Sequence, residues 1–366
     1  MINRPTLVIL WIVAGLCCSL IACQNGQSTE VTPTDPKPSK PTDYKPTLYP
    51  WKKPANFPDP AYNFTQNPLT QEGVLLGKNL FFDPILSKNG TISCAFCHQQ
   101  EVAFAHTDHI LSHGINDKIG PRNTPGIQNV AWSRVFFWDG GIVDLDQLPI
   151  SPIQNPIEMG DSMANVLQKV QSSGQYRGLF KAAYGSEEVT AERFLKALSQ
   201  YMLTLVSATS KYDKYIRNEG IQLSEQELSG LQLFKANCSA CHSGELFTDH
   251  SFRNNGLLPN PYVPIPDLGR FAISQKPEDK NKFRVPSLRN IAMTTYYMHD
   301  GRFKTLDQVL NHYATGIEDN SQLDPLLKKN DKPGIPLTRQ DQQDIIAFLN
   351  TLTDYDFITN RQHHPD

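Results

Sequence analysis

Four of the seven cysteines lie in two copies of one short motif. The copies are Cys94-Ala-Phe-Cys97-His98 and Cys238-Ser-Ala-Cys241-His242. The spacing C-x-x-C-H is typical of covalent c-type haem attachment, in which both thiols form thioethers with one haem and the histidine ligates its iron. Two C-x-x-C pairs are also compatible with a zinc site or a redox-active dithiol. Because each copy is completed by histidine, we predict two c-type haems with His98 and His242 as proximal ligands.

The segments before the two motifs are similar and predict a helix leading into each haem site. Residues 73–82 (GVLLGKNLFF) precede the first motif. Residues 230–234 (GLQLF) precede the second, after the capping box Ser224-Glu-Gln-Glu227. This similarity indicates an internal duplication of a cytochrome c unit.

Further helices are predicted over residues 190–207 and 338–352. In the first of these, five apolar residues share one helical face: Phe194, Leu195, Leu198, Met202 and Leu205. Strand patterns are scarce. We therefore predict a mainly α fold of two cytochrome c-like haem domains with long loops.

The composition of the 366 residues is that of a globular chain, with 39% hydrophobic and 19% charged residues. The 34 basic and 37 acidic side chains give a net charge of -3, which offers no electrostatic attraction for nucleic acid. Composition also excludes a collagen, a coiled coil and a multi-pass membrane protein.

The N-terminus predicts export from the cytoplasm. Residues 7–22 are apolar or small, a stretch that is short for a membrane span and typical of a signal-peptide core. It ends in Leu20-Ile21-Ala22-Cys23, which resembles the lipobox of bacterial lipoproteins, where the cysteine is acylated. Gln24 after it favours the periplasmic side of the outer membrane of a Gram-negative bacterium. The alternative is an uncleaved hydrophobic anchor, which also places the body outside the cytoplasm.

Changes in composition predict the domain boundaries. After a signal peptide at 1–22, residues 23–60 are rich in Thr and Pro and predict an extended tether. An N-terminal haem domain is expected at 61–216 and a C-terminal one at 217–355, followed by a tail at 356–366. The three remaining cysteines belong to the signal region, so no thiol is left for a structural disulfide.

Five further motifs accompany the haem sites. They are Gly120-Pro-Arg122-Asn123, Phe137-Trp138-Asp139-Gly140, Asn155-Pro-Ile-Glu158-Met159, Pro286-Ser-Leu-Arg289-Asn290 and Met298-His299-Asp300-Gly301. From Asn56 to the last predicted helix, the chain resembles the bacterial di-haem cytochrome c peroxidase and MauG-type superfamily. The resemblance implies that the N-terminal haem is peroxidatic and that the C-terminal haem passes electrons to it.

The resemblance also implies catalytic roles for Glu158 and Trp138. Glu158 matches the family's distal glutamate, and a carboxylate there can take a proton from one peroxide oxygen and deliver it to the other. Trp138 matches a tryptophan between the two haems, which shortens the electron path. Two positions depart from the family. Leu148 stands where a distal glutamine is usual, with Gln147 one step away, and Gly141 replaces an arginine.

The resting state of the N-terminal haem has two interpretations. In the family, a loop histidine before a glycine caps this iron at rest, and His113-Gly114 matches by position. The alternative is a solvent-exposed His113 with an open iron. A separate interpretation is a metal cluster, because His106, His109 and His113 would share one face of a helix.

The distal ligand of the C-terminal haem has several candidates. Tyr313 lies where the family places this ligand, which is methionine in the peroxidases and tyrosine in the MauG type. Methionine raises the reduction potential, whereas a phenolate stabilises ferric and higher iron states. Met298 and Met293 follow His242 at separations compatible with cytochrome c, and Tyr313 could instead be an ordinary packed aromatic residue.

The resemblance further implies one calcium ion between the domains. Asn123 matches the side-chain ligand, and Thr294 and Tyr296 match the positions whose backbone carbonyls bind the ion. Such oxygen ligands suit calcium.

We therefore predict a lipid-anchored peroxidase that reduces hydrogen peroxide with electrons from a small donor such as a cytochrome c or cupredoxin. The first alternative is a MauG-like oxidase that modifies a partner protein, which Tyr313 favours. The second is a di-haem electron carrier without peroxide chemistry, which Glu158 in its motif disfavours. The family is often dimeric, so a homodimer is also an expectation.

Overall fold

Helices account for most of the regular structure. The computed structural model describes residues 44–260 and 266–365, so the predicted signal peptide, Cys23 and much of the tether lie outside the described residues. The described chain is mainly helical, which confirms the predicted fold class. Its α-helices are α1 (Gln71–Phe82), α2 (Cys94–Cys97), α3 (Ile150–Gln154), α4 (Met163–Ser172), α5 (Gly174–Tyr184), α6 (Ala191–Leu203), α7 (Lys211–Ile216), α8 (Glu225–Asn237), α9 (Phe271–Ser274), α10 (Leu306–Asn311), α11 (Arg339–Asn350) and α12 (Tyr355–Ile358).

Strands are few and short in the described part of the chain. β1 (Phe252–Arg253) pairs antiparallel with β2 (Phe283–Arg284), and β3 (Lys328–Lys329) pairs antiparallel with β4 (Lys332–Pro333). The first ladder matters for function, because it brings two distant segments of the second half of the chain together beside the site described below.

Side-chain caps start the predicted helices where the sequence placed them. The Ser224 hydroxyl accepts a hydrogen bond from the Glu227 backbone N–H, and the Glu227 carboxylate accepts one from the Ser224 N–H. These two bonds satisfy amide groups that the first turn of α8 leaves unpaired. Thr338 and Asp341 form the same reciprocal pair at the start of α11, whereas at α6 the Thr190 hydroxyl accepts a single bond from the Arg193 N–H.

Helix α6 ends at Leu203, earlier than the predicted residue 207. The backbone beyond it bonds to Asn129 instead of continuing the helix. The Asn129 N–H donates to the Leu205 carbonyl, and the Ser207 N–H donates to the Asn129 side chain. A contact from a distant segment thus overrides the local helical pattern.

Two apolar clusters form the core. The first is built mainly from buried residues between Phe57 and Ala208 and contains α1, α4, α5 and α6. The second is built from buried residues between Tyr212 and Leu352 and contains α8, α10 and α11. The predicted boundary between residues 216 and 217 lies a few residues after the start of the second cluster, and as a domain boundary it stays a prediction.

The segment expected to be a tail packs against the first cluster. Phe357 and Ile358 in α12 are buried there. The Tyr201 hydroxyl in α6 donates a hydrogen bond of 2.7 Å to the His363 carbonyl. The end of the chain therefore returns from the second cluster to cover the first.

Each cluster contains one close helix crossing at a glycine. A Cβ at Gly77 in α1 would lie 1.8 Å from the Ala197 carbonyl oxygen in α6. A Cβ at Gly230 in α8 would lie 1.8 Å from the Asp344 carbonyl oxygen in α11. A close glycine crossing thus occurs in the helix before each C-x-x-C-H motif, although α8 continues directly into its motif and α1 is followed by residues 83–93. The predicted duplication stays a prediction.

A buried ion pair connects the second cluster to the first. The Arg289 guanidinium donates two hydrogen bonds of 2.8 Å to the Asp213 carboxylate, and neither side chain is exposed. The guanidinium also lies 4.5 Å from the centroid of the Phe57 ring, in the first cluster. Burial alone would raise the pKa of Asp213, but the hydrogen bonds and charge of Arg289 hold it below its ordinary value.

We expect Gly77→Ala to destabilise the protein by about 1–3 kcal/mol, since the added methyl group forces α1 away from α6. The free energy of unfolding of the haem-loaded protein, measured by denaturant titration, tests this. The matched control is Gly178→Ala in α5, where a Cβ would have no neighbour within 4 Å. This variant should be neutral or more stable by about 0.5–1 kcal/mol, because alanine favours helices. Equal effects of the two variants would contradict the interpretation of the crossing.

We expect Arg289→Gln to cost about 3–5 kcal/mol near neutral pH, because it leaves the Asp213 carboxylate buried without its cation. In the native protein the depressed pKa of Asp213 stabilises the fold above the ordinary carboxyl pKa, and this contribution is lost as the pH falls. The difference in unfolding free energy between the two proteins should therefore shrink in acid. Lys181→Gln, which removes an exposed pair with Glu187, is the control and should have little effect at either pH. A pH-independent difference would contradict this account.

Candidate active site

Both C-x-x-C-H motifs line one cavity. Its volume is about 1370 Å³, larger than the 300–1000 Å³ that is usual for a single small-molecule site. All six motif residues contribute to its wall: Cys94, Cys97, His98, Cys238, Cys241 and His242. The residue types, their pairing and the size of the cavity fit two haems.

The two motif histidines are held in the same orientation. The His98 Nδ1 lies 2.8 Å from the Phe104 carbonyl oxygen, and the His242 Nδ1 lies 3.1 Å from the Phe247 carbonyl oxygen. A carbonyl can only accept, so Nδ1 carries the proton in each ring and Nε2 is left as the potential iron ligand. Both phenylalanines have a left-handed backbone, with φ of 57° and 53°.

Burial keeps both rings neutral, as iron ligation requires. It lowers the pKa of His98 to about 4 and also lowers the pKa of His242. The duplicated histidine-to-carbonyl arrangement therefore presents two uncharged imidazoles to the same cavity.

Glu158 lines this cavity beside the first motif. The Asn155 side chain donates a hydrogen bond of 2.9 Å to the Glu158 carboxylate, and Asn155 also lines the cavity. Burial raises the pKa of Glu158 above its ordinary value. Burial and the nearby Glu158 charge together raise the pKa of the Cys97 thiol to about 11, which shows that the carboxylate is close to the haem attachment point. A carboxyl group beside the haem attachment point can both accept and release a proton.

The His113-Gly114 loop packs against the Glu158 segment, but the His113 ring does not line the cavity. The Ile115 N–H donates a hydrogen bond of 2.8 Å to the Glu158 carbonyl. The His113 ring instead stacks on the His109 ring, with centroids 4.8 Å apart and an interplanar angle of 15°. The His113-Gly114 loop is therefore near the site, whereas the His113 imidazole points elsewhere. The role of His113 as a resting ligand stays a prediction.

The interpretation of His106, His109 and His113 as a metal cluster is wrong. The described residues contain no group of three or more His, Cys, Asp or Glu side chains that could hold a metal ion. The rings of His109 and His113 stack, and the His106 Nε2 lies 3.4 Å from the His109 Nδ1. This segment is an irregular loop in which neighbouring rings lie 5.4 and 4.8 Å apart and meet edge-on or stacked.

Trp138 is fixed by both halves of the chain. Its indole N–H donates a hydrogen bond of 2.9 Å to the Asn123 carbonyl. Its own carbonyl accepts a hydrogen bond of 2.7 Å from the Arg284 N–H. Next to it, Asp139 pairs with Arg122 at 2.6 Å. Trp138 lines the cavity together with residues of both haem motifs, so its indole has a defined place in the wall that they share.

Tyr313 and Met298 both line the cavity, whereas Met293 packs at the edge of the first apolar cluster. Tyr313 lies in a short π-helical segment, His312–Gly316, that continues α10. Such segments are frequent at functional sites. Burial and, to a smaller extent, the thiols of Cys238 and Cys241 raise the pKa of Tyr313 to about 12, which indicates that the phenol is close to those thiols.

Two basic residues in the cavity wall were not predicted from the sequence. The side chain of Arg284, in β2, donates to the Phe137 carbonyl at 3.1 Å. Burial alone lowers its pKa to about 10, and no ion pair among the described residues involves it. The His250 Nδ1 is buried and without a hydrogen-bond partner, and the charge of Arg284 lowers the pKa of His250 beyond the effect of burial. Unpaired basic groups at this position suit the propionate groups of haem. An arginine in the otherwise apolar Phe283-Arg-Val285 stretch is the sequence signal that was missed.

The predicted calcium ligands also border the cavity. Asn123, Thr294 and Tyr296 all contribute to its wall. The Asn123 amide N–H donates to the Ile110 carbonyl at 2.9 Å, which leaves its side-chain oxygen as the acceptor. An amide oxygen with backbone carbonyls is a donor set that fits calcium.

Of the two departures from the expected peroxide pocket, one lies in the cavity wall. Leu148 lines the cavity, whereas Gln147 is exposed and does not. Near Gly141, the guanidinium of Arg270 donates to the carbonyls of Asp139 and Gly140 at 2.9 and 3.0 Å. Arg270, the residue just before α9, thus brings a basic group to this turn.

Comparison with known proteins gives consistent matches. The family model for di-haem cytochrome c peroxidases matches residues 71–220. The chain is 37% identical over 313 residues to the methylamine utilization protein MauG of Methylorubrum extorquens, covering 82% of this chain and 83% of that protein. It is 37% identical over 284 residues to the cytochrome c551 peroxidase of Nitrosomonas europaea, covering 76% and 79%.

A solved structure supports the same conclusion. The crystal structure of a MauG-like protein associated with microbial copper homeostasis has a TM-score of 0.78 and 34% sequence identity, covering 87% of this chain and 99% of that one. These matches confirm the family and enzyme class predicted from the sequence, and with them the presence of two c-type haems. The chain therefore belongs to the di-haem cytochrome c peroxidase family and is a peroxidase-type oxidoreductase.

Proposed function

We propose that this chain reduces hydrogen peroxide to two water molecules, using two protons and two electrons from a small periplasmic redox protein such as a cytochrome c or cupredoxin. The observation that carries the proposal is the Glu158 carboxyl group, which lines the haem cavity beside Cys97 and has a raised pKa. An electron carrier has no need for such a group. The named cytochrome c peroxidases among the relatives support the same reaction.

In this proposal each motif binds one haem. Cys94 and Cys97 form the thioethers of the first and His98 is its proximal ligand, while the second motif does the same with His242. Bound haem supplies the one-electron redox chemistry, and the protein supplies ligation, orientation and proton delivery. Arg284 and His250 hold propionate groups in the cavity wall.

Glu158 moves the proton. Breaking the peroxide O–O bond requires that a proton leave one oxygen and reach the other. The hydrogen bond from Asn155 orients the carboxylate toward the cavity, and its raised pKa allows it to accept and return the proton. Leu148 contributes an apolar surface where the family usually has an amide. We infer that Glu158 carries a larger share of proton transfer here than in relatives with glutamine.

Trp138 connects the two haem sites. Its indole is held by Asn123 on one side and its backbone by Arg284 on the other. An aromatic ring in the wall of a cavity shared by both motifs shortens the path for electrons between them. Asn123, with the carbonyls of Thr294 and Tyr296, binds a calcium ion that stabilises this junction.

We propose Tyr313 as the distal ligand of the second haem. Its position in the cavity wall and its proximity to the thiols of Cys238 and Cys241 support this assignment. Met298 is the alternative. At the first haem, His113 is the proposed resting ligand only if its loop moves, because its ring stacks on His109 in this structure.

A second candidate function is oxidation of a partner protein, as in a MauG-like enzyme. The specific observation in its favour is Tyr313, because a tyrosine ligand stabilises ferric and higher iron states. The 37% identity to a MauG protein adds to it. In that case the oxidised haems would take electrons from a partner protein at the surface, and not from a small redox donor.

We also propose that the enzyme acts in the periplasm, anchored to the outer membrane through acylated Cys23. No helix in residues 44–260 and 266–365 has the length and hydrophobicity of a membrane span. The proposal of an anchor rests on the lipobox-like sequence Leu20-Ile21-Ala22-Cys23, which lies outside the described residues. Two or more acyl chains on Cys23, inserted in the periplasmic leaflet of that membrane, would give stable attachment.

Replacing both thiols of one motif should remove one haem and leave the other. We expect the Cys94→Ala/Cys97→Ala variant to retain only the haem on the second motif, and Cys238→Ala/Cys241→Ala to retain only the first, because thioether formation at each motif uses its own two sulphurs. The intact mass of the protein and its haem absorbance per polypeptide measure this. Unchanged haem content in either variant would contradict the assignment.

We expect Glu158→Gln to lower peroxide turnover by about 10²–10⁴-fold while leaving the haem content intact, since an amide cannot exchange the proton. The measurement is stopped-flow oxidation of a reduced cytochrome c by hydrogen peroxide, with the enzyme pre-reduced at its C-terminal haem. Glu101→Gln, an exposed glutamate after the first motif, is the control and should keep full activity. Unchanged turnover in Glu158→Gln would remove its proposed role. Absence of turnover in the native enzyme, with a long-lived oxidised haem spectrum, would favour the MauG-like function.

A further inference from the structure

Two side chains that can ligate the second iron border the same cavity, and a third residue contacts both of them. Asn255 lines the cavity with Tyr313 and Met298. Its side-chain N–H donates to the Met298 sulphur at 3.5 Å. Its side chain also forms a hydrogen bond with the Tyr313 hydroxyl group. An asparagine amide has two N–H donors, so it can serve both acceptors at once.

The Asn255 segment is tied to the segment that carries Tyr313. The ring of His312, the residue before Tyr313, bonds through Nε2 to the Asn255 carbonyl at 2.9 Å. The next residue, Gly256, accepts a hydrogen bond of 3.0 Å from the Glu318 N–H. The bonds from His312 and Glu318 thus join the Asn255–Gly256 backbone to the chain before and after Tyr313. They fix the position from which the Asn255 side-chain amide reaches the phenol.

Gly256 adds to this rigidity. It has a left-handed backbone with φ of 70°, and its N–H donates to the Asn254 side chain at 2.8 Å. The Asn254 amide in turn donates to the Asn320 side chain at 3.2 Å. The loop thus has its own anchor, away from the cavity, and does not depend on the contacts that Asn255 makes with Tyr313 and Met298.

We propose that Asn255 is a positioning residue that selects Tyr313 over Met298 as the distal ligand of the second haem. This inference rests on the proposed function, in which Tyr313 is that ligand. The amide N–H engages the lone pair of the methionine sulphur that would otherwise be free to bind the iron. The other N–H keeps the tyrosine oxygen directed into the cavity. Because methionine raises the reduction potential relative to a phenolate, the choice of ligand sets how readily the second haem accepts electrons.

The test begins with the ligand itself. Near-infrared magnetic circular dichroism and resonance Raman spectra of the ferric, haem-loaded protein distinguish tyrosinate from methionine ligation. Tyr313→Phe should remove the tyrosinate signature of the second haem. If it does not, the ligand assignment in the proposed function is wrong and the inference fails with it, whereas peroxide turnover remains a separate measurement.

The inference is tested with Asn255→Leu, which removes both N–H donors and keeps a similar volume. Loss of a hydrogen bond to a buried group corresponds to a shift of about tenfold in the ratio of the two ligand forms. We expect the methionine signature to increase at the expense of the tyrosinate signature, and the reduction potential of the second haem to rise. Adding Met298→Leu to this variant should abolish the new signature. This identifies the sulphur that replaces the phenol.

Two further proteins make the result interpretable. Asn320→Ala weakens the anchor of the same loop without touching either ligand candidate, and its spectrum and potential should match the native protein. Asn255→Ala replaces the leucine variant if the latter does not retain both haems. The proposal would be overturned if a haem-loaded Asn255 variant kept both the native tyrosinate signature and the native reduction potential. It would also be overturned if Asn320→Ala showed the same change of ligand signature and potential as the Asn255 variant.

Discussion

The hydrogen bond from each motif histidine to a phenylalanine carbonyl is the interaction on which the site depends. It fixes the proton on Nδ1, directs Nε2 into the cavity and holds the ring at one angle. Two left-handed phenylalanines turn their carbonyls toward the rings, and the apolar surroundings keep both imidazoles uncharged. The covalent motif alone would place a histidine near an iron. The carbonyl makes it a ligand of defined orientation.

The rest of the fold brings these two arrangements to one cavity. In each cluster a helix leading into a haem motif crosses a later helix closely at a glycine. Between the clusters, the buried Arg289–Asp213 pair and the bonds around Trp138 fix the relation of the two halves. Breaking such a pair leaves a charge without compensation in the interior, so the junction tolerates little distortion. Electron transfer between two haem sites needs this constancy of distance.

The two haem sites are alike in how the motif histidine is held and differ in the other side chains that line the cavity near each motif. Near the first motif stand a carboxyl group with a raised pKa and an apolar leucine. Near the second stand a phenol, a thioether and the amide that contacts both. In the proposed function, two similar haem sites therefore differ by a proton-transfer group at one and a choice of ligands at the other. The proposed division into a peroxide-reducing haem and an electron-accepting haem follows from that difference.

The sequence by itself determined the features that depend on neighbouring residues. Two thiols and a histidine within one turn define a haem site, and a Ser-x-x-Glu box defines the start of α8, because all of their atoms lie within a few residues. The motifs around Glu158 and Trp138 likewise identified the family. Only the tertiary structure decided which distant groups meet. It turned the His113 ring toward His109 and placed Asn255 between Tyr313 and Met298, since such contacts depend on how separate loops pack and not on any local pattern.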